Sequence, residues 1–194
     1  MILISAFEPF GNDIINPTQL LLDKIPSKIA GCEIKKILLP VEFIKAPELL
    51  IKTYDEIKPQ AVLMLGQAGG RKYISIENIA KNIMDAKIPD NSGYMPLNEE
   101  IVNGNKSLLF GNLKRDEMLN DLVIESNDAG TYVCNCLYYQ MLNHNNGMVP
   151  TGFLHVPFIK EQNHMDKPYM ELDIICEQII NILKIIIEEI KNDI

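Results

Sequence analysis

Ala61-Val62-Leu63-Met64-Leu65 is apolar at every position and stops at Gly66, and Met1 to Ala6 is nearly so. A strand with one wet face alternates polar and apolar residues; these do not. Runs of this kind need cover on both faces, which is the condition of strands inside a mostly parallel sheet with helices above and below. Between them the chain supplies the crossovers. Asn16-Pro17 is a helix start, with Asn as cap and Pro at the first helical position, and TQLLLDKI continues it. Glu33 to Val41 reads as a second strand. Phe43 to Ile57 carries Ile44, Leu49, Leu50 and Tyr54 at helical spacing. The order β-α-β-α-β predicts an α/β fold.

Further strands are predicted at Tyr73 to Ile79, Leu122 to Ser126 and Gly152 to Val156. Helices are predicted at Tyr132 to Leu142 and from about Tyr169 to Ile190. Residues 89–112 are rich in Asn, Gly and Pro and read as an excursion of loops and short strands. No repeat or low-complexity linker divides the 194 residues, so a single domain over 1–194 is expected. With 47% hydrophobic residues, such a domain needs no disulfide or metal to hold it.

A net charge of −8, with no Lys/Arg cluster, argues against nucleic acid or an anionic membrane as partner. The longest apolar run, IINILKIII, contains Asn181 and Lys184 and is shorter than a membrane span. The four cysteines form no disulfide framework, and no signal peptide is recognisable. A soluble, cytoplasmic protein with free thiols is expected.

In open α/β sheets, ligands bind near the carboxyl ends of the strands. The loops after Ala6, Leu65, Ser126 and Val156 are therefore the places to look. In SNDAGTYVCN, Thr131 is a suitable helix cap, which would put Cys134 at the third helical position. A helix N-terminus favours a thiolate and offers N–H groups to an oxyanion. The competing reading is a small buried filler. Cys136, two residues on, faces elsewhere and reads as structural; Cys32 and Cys176 carry no argument.

A thiolate nucleophile needs a base. His144 and His164 sit in polar segments and read as exposed. His155 sits in the apolar strand GFLHVP, where an unpaired polar group would cost about 1–3 kcal/mol. It is the best base, with a satisfied core histidine as the bland alternative. Glu77, in ISIENI, is the candidate to orient it. The alternative there is an exposed polar face made by Tyr73, Ser75 and Glu77. A zinc site is disfavoured because Cys134-x-Cys136 lacks a second ligand group at a usual spacing. GQAGG is no nucleotide fingerprint; its glycines would let backbone approach a ligand.

Taken together, FEPFGNDIINP, GQAGGRKYISIEN, IPDNSGY, SNDAGTYVCN and GFLHVPF resemble the pyroglutamyl peptidase type I (pyrrolidone-carboxylate peptidase) family, in order and over nearly the whole chain. The resemblance implies a single α/β/α sandwich with a twisted, mixed, mostly parallel sheet. It implies a Glu77, Cys134 and His155 triad, and removal of N-terminal pyroglutamate from peptides by acyl transfer. Phe7, Phe10, Asn16, Gln67, Ile88, Tyr132 and Val133 match pocket positions. No metal or cofactor is implied, and a cytoplasmic homotetramer is, with residues 89–112 as a candidate subunit contact. Departures are Tyr132 where Phe is usual, which would put a hydroxyl near the pocket, Lys87 for Arg, Asp128 for Thr, and a short segment from Gly111 to Ser126. A binding protein that keeps the fold, and a cysteine amidase for another acyl group, are the alternatives.

Overall fold

The computed structural model describes residues 1–164 and 166–192; the last two residues of the expected single domain lie outside it. Its centre is β1 (Ile2–Phe7), buried at every position. On one side β1 pairs in parallel with β3 (Cys32–Leu39), on the other with β4 (Ala61–Gln67). Helix α1 (Pro17–Lys24) makes the first crossover and α2 (Lys45–Ile57) the second. Asn16 caps α1 as expected, its side chain accepting from the Thr18 N–H.

The first crossover is not a plain return. A two-residue strand, β2 (Lys28–Ile29), turns back antiparallel onto β3. The turn uses Ala30 and Gly31, both at positive φ, the combination a tight primed hairpin requires. This places Cys32 at the first position of β3.

Beyond β4 the sheet becomes mixed. β9 (Thr151–Val156) runs parallel to β4, and β5 (Ile74–Glu77) runs antiparallel to β9. β8 (Val123–Ser126) pairs in parallel with β5 and ends the order β2-β3-β1-β4-β9-β5-β8. After a break at Asn78, β6 (Ile79–Lys81) pairs with β7 (Leu108–Phe110) as a separate ribbon. The excursion of residues 89–112 is thus loop ending in a short strand.

Helix α3 (Val133–Asn145) and α2 cover one face of the sheet; α1 and α4 (Leu172–Asn192) cover the other. Strand alternation divides the core accordingly. Ile2, Ile4, Leu63, Leu65 and Leu154 pack with α4, whereas Leu3, Val62, Met64 and Phe153 pack with α3. In α4, Ile175, Ile179, Ile182, Leu183, Ile186 and Ile187 form the buried stripe. Each such side chain contributes about 1.5–3 kcal/mol on full burial. Among the described residues no helix is long and apolar enough to cross a membrane.

Candidate active site

The alternation along β5 has a consequence for Glu77. Ile74 and Ile76 point into the α4 core, so Ser75 and Glu77 point to the α3 face. That polar face is not exposed: Ser75 and Glu77 are 2% and 1% exposed. The reason lies outside the local sequence, in the neighbouring strand. Ser75 pairs with His155 and Glu77 with Phe153, which sets Glu77 diagonally from His155 on the same face. The His155 ring nitrogen Nδ1 and Glu77 Oε1 are 2.7 Å apart. With an acceptor fixed at Nδ1, the proton sits there and Nε2 is left to act as base.

A third group closes on the same oxygen. Arg71 donates from Nη1 to Glu77 Oε1 at 2.5 Å and from Nη2 to the Asp128 carbonyl at 2.6 Å. The guanidinium thus ties β5 to the turn before α3. Burial opposes the charge on Glu77, but His155, Ser126 and Arg71 outweigh it and hold its pKa below the usual carboxylate value. His155 is pushed below its ordinary value mainly by burial, against the pull of Glu77. The resting pair is therefore an ionised carboxylate and a neutral imidazole.

Cys134 arrives from the opposite layer. Gly130, at φ 77°, reverses the chain before α3, a conformation that suits glycine. The helix then starts at Val133 with Tyr132 as its cap residue, so Cys134 is its second residue rather than its third. Thr131 is not the cap: its hydroxyl donates to the Asp85 carbonyl at 2.7 Å. The helix start is anchored instead by buried Asn135. Its carboxamide accepts from the Lys81 N–H at 2.8 Å and donates to the carbonyls of Lys81 and Ile83. The first N–H groups of the helix have no intrahelical acceptor and are free to bind an oxyanion.

The thiol lies directly over Gly66, whose strand partner is His155. A Cβ at residue 66 would stand 2.8 Å from Cys134 Sγ and 2.7 Å from the Phe153 ring. Only glycine leaves this space. Burial, and next the charge of Glu77, push the Cys134 thiol up to about 12. Arg71 pulls in the opposite direction, and the half-buried side chain opens onto a cavity.

A cavity of about 230 Å³ opens beside the thiol. Phe7, Phe10, Val41, Tyr132 and Val133 give it apolar walls, and Asn16, Gln67, Arg71, Asp128 and His155 are the polar residues at its lining. Phe10 and Tyr132 stand 6.0 Å apart between ring centres, and Phe43 supports Tyr132 edge-on at 5.2 Å. The Tyr132 hydroxyl donates to the Pro89 carbonyl, so it braces the excursion instead of adding a polar group to the cavity. Glu77 stands behind His155, outside the lining. Ile88 is 46% exposed and, like Lys87, is not part of the lining. Asp128 is held by Lys81 at 2.8 Å and by the Gly130 N–H, and so caps the turn that carries the Arg71 contact.

The other thiols and histidines are placed elsewhere. Cys136 is buried between Phe43 and Gln140. His144 pairs with Asp55 on the surface. His164 is not simply exposed: it contacts Asp13 at 3.0 Å and stacks on Phe158. No group of three or more His, Cys, Asp or Glu among the described residues is placed to hold a metal ion. Sequence reasoning missed Arg71, although a Glu confined to an apolar strand calls for a nearby cation, and Arg71 is six residues away.

Comparison with known proteins follows the same geometry. A family model described as pyroglutamyl peptidase matches residues 1–193. The chain is 38% identical to pyrrolidone-carboxylate peptidase 1 of Caldanaerobacter subterraneus subsp. tengcongensis, over 96% of this chain and 98% of that one. It is 42% identical to pyrrolidone-carboxylate peptidase of Brachyspira hyodysenteriae, over 94% and 96%. The solved structure of pyrrolidone carboxyl peptidase from Thermococcus litoralis superposes with a TM-score of 0.93 at 31% identity, covering 100% of this chain and 96% of that one.

Proposed function

Because the chain belongs to the pyroglutamyl peptidase family, we propose that it is a cysteine exopeptidase that removes N-terminal pyroglutamate from peptides. The observation that carries this reading is the buried His155–Glu77 contact of 2.7 Å, set beside a thiol that faces an apolar cavity.

On this reading residues 1–194 act as one cysteine-peptidase domain. Cys134 is the nucleophile, His155 the base and Glu77 the group that orients it. The imidazole rests neutral and is ready to take the thiol proton, so attack is general-base catalysed. His155 Nε2 takes the proton from Sγ as sulfur adds to the carbonyl carbon. The N–H groups at the start of α3 hold the oxyanion. Collapse breaks the amide C–N bond, His155 returns the proton to the departing amine, and a thioester remains. Water, deprotonated by His155, adds to the thioester; the C–S bond breaks, the sulfur takes the proton back from His155, and pyroglutamate is released.

The pyroglutamyl ring is a flat lactam with no cationic amine. Phe7, Phe10, Tyr132 and Val133 suit its faces, and Asn16 and Gln67 supply amide partners at the lining. Ile88 has no assigned part, since it stands away from the cavity. We place the protein in the cytoplasm as a homotetramer. Leu97 and Phe110, at 79% and 70% exposure, are apolar surface in the excursion that a subunit contact would cover.

The test is turnover of a pyroglutamyl-coumarin amide beside its prolyl analogue. Proline lacks the ring carbonyl, so amide donors built for that group go unpaired. Turnover of the pyroglutamyl compound alone is expected. Equal turnover of both, or of neither, would refute the assignment.

A further inference from the structure

Gln67 lines the cavity, but its carboxamide is not free to turn. Behind it stands Gln162, in the short 3-10 turn of residues 160–162 that follows β9. Two backbone groups fix which way round the Gln162 amide sits. Its Oε1 accepts from the Ile159 N–H at 3.1 Å, and its Nε2 donates to the Ile15 carbonyl at 3.2 Å. A backbone N–H can only donate and a carbonyl only accept, so a flipped Gln162 would lose both bonds.

That orientation is passed on. Gln162 Nε2 also donates to Gln67 Oε1 at 2.8 Å. The atom of Gln67 facing Gln162 must then be its oxygen. The Gln67 Nε2 is turned the other way and donates one hydrogen to Asp13 Oδ2 at 3.3 Å. Its oxygen is turned toward Gln162 and one N–H remains. Asn16 is likewise fixed. Its Oδ1 accepts from both the Thr18 N–H and hydroxyl, and its Nδ2 gives one hydrogen to the Glu8 carbonyl. Two carboxamides at the lining thus each have a fixed orientation and one N–H left to donate.

The clamp is itself braced. Asp13 Oδ2 accepts from Gln67, and Asp13 Oδ1 contacts His164 Nε2 at 3.0 Å. The His164 ring stacks on Phe158 at 4.0 Å, and Phe158 fills the space a side chain on Gly69 would need. The segment after β9 is therefore locked onto the end of β4.

We propose that Gln162 is a positioning residue for substrate specificity. By fixing the Gln67 amide, it makes the cavity donate hydrogen bonds and so select an acyl group bearing a ring carbonyl. This rests on the pyroglutamyl-pocket reading above. Gln162 lies outside the cavity lining, so it acts through Gln67.

The experiment is a double-mutant cycle on the full chain with Gln162→Glu and Gln67→Leu, read as KM and kcat on the pyroglutamyl-coumarin amide. Iodoacetamide alkylation of Cys134 is the second readout. A carboxylate at residue 162 still accepts from Ile159 but cannot donate to Gln67. Gln162→Glu is expected to raise KM on the order of tenfold, the loss of one aligned hydrogen bond, with kcat and alkylation rate held. In the Gln67→Leu background the same change adds nothing. Gln162→Met, which drops every polar atom at similar length, repeats the comparison if the added charge beside Asp13 unfolds the first variant. An unchanged KM, or a loss that adds fully to that of Gln67→Leu, overturns the positioning role. Gln67→Leu with normal KM overturns the pocket reading itself, and the proposal with it.

Discussion

Replacing Gly66 by alanine puts the thiol's placement under direct test. The added Cβ would meet Cys134 Sγ at 2.8 Å and the Phe153 ring at 2.7 Å. Carbon and sulfur contacts settle near 3.5–4.0 Å, so one or both neighbours must move by roughly 0.7 Å or more. Neither has an easy retreat: Phe153 is wholly buried beside Tyr138, and Cys134 is tied to its helix by the bonds of Asn135. Misplacement of a reacting atom by about 1 Å can cost on the order of 10²-fold in rate. Overpacking of this kind costs about 1–3 kcal/mol of stability. Gly66→Ala should therefore lower kcat/KM for the pyroglutamyl-coumarin amide about a hundredfold while the protein still folds. The alkylation rate of Cys134 should fall in parallel. Thermal unfolding separates the two effects. A stable Gly66→Ala protein with normal turnover would refute the packing of the thiol against β4.

Arg71→Met removes a cation that lowers the pKa of both Glu77 and His155. The acid limb of kcat/KM should move to higher pH, and kcat should lose part of the roughly 10²–10⁴-fold that a positioned base contributes; an unmoved limb with raised KM would instead make Arg71 a substrate contact. Acidification should destabilise the fold from two groups. The unfolded chain protonates histidine near 6.5 while buried His155 resists, so stability falls as pH drops below that value. Glu77 adds a second loss as pH falls past the ordinary carboxylate value toward its depressed one. Denaturant titrations of wild type and Glu77→Gln across this range check the second contribution, which the variant should lack.

Much of the fold could be read along the chain because it is local. The unbroken apolar runs of β1 and β4 announce strands covered on both sides, and Asn16-Pro17 announces α1. What escaped was set by partners distant in sequence. Nothing near Glu77 distinguishes an exposed polar face from a buried one; the antiparallel pairing with β9 decides it. The start of α3 was misplaced by a residue because Thr131, a good cap by composition, is taken up by Asp85. Cys134, His155 and Glu77 stood out by residue type in an unsuitable setting. Arg71 and Gln162 did not, because each looks like an ordinary polar residue of a surface loop until its partners are in place.

The central claim is that Cys134, and not the neighbouring thiol of Cys136, attacks the substrate. The direct measurement is turnover of the pyroglutamyl-coumarin amide by Cys134→Ala and Cys136→Ser, each shown to be folded by its thermal transition. The account predicts that Cys134→Ala loses essentially all turnover. Cys136→Ser should lose stability, since Cys136 is buried against Phe43, yet keep its rate to within a few-fold. Near-normal turnover by folded Cys134→Ala would contradict it.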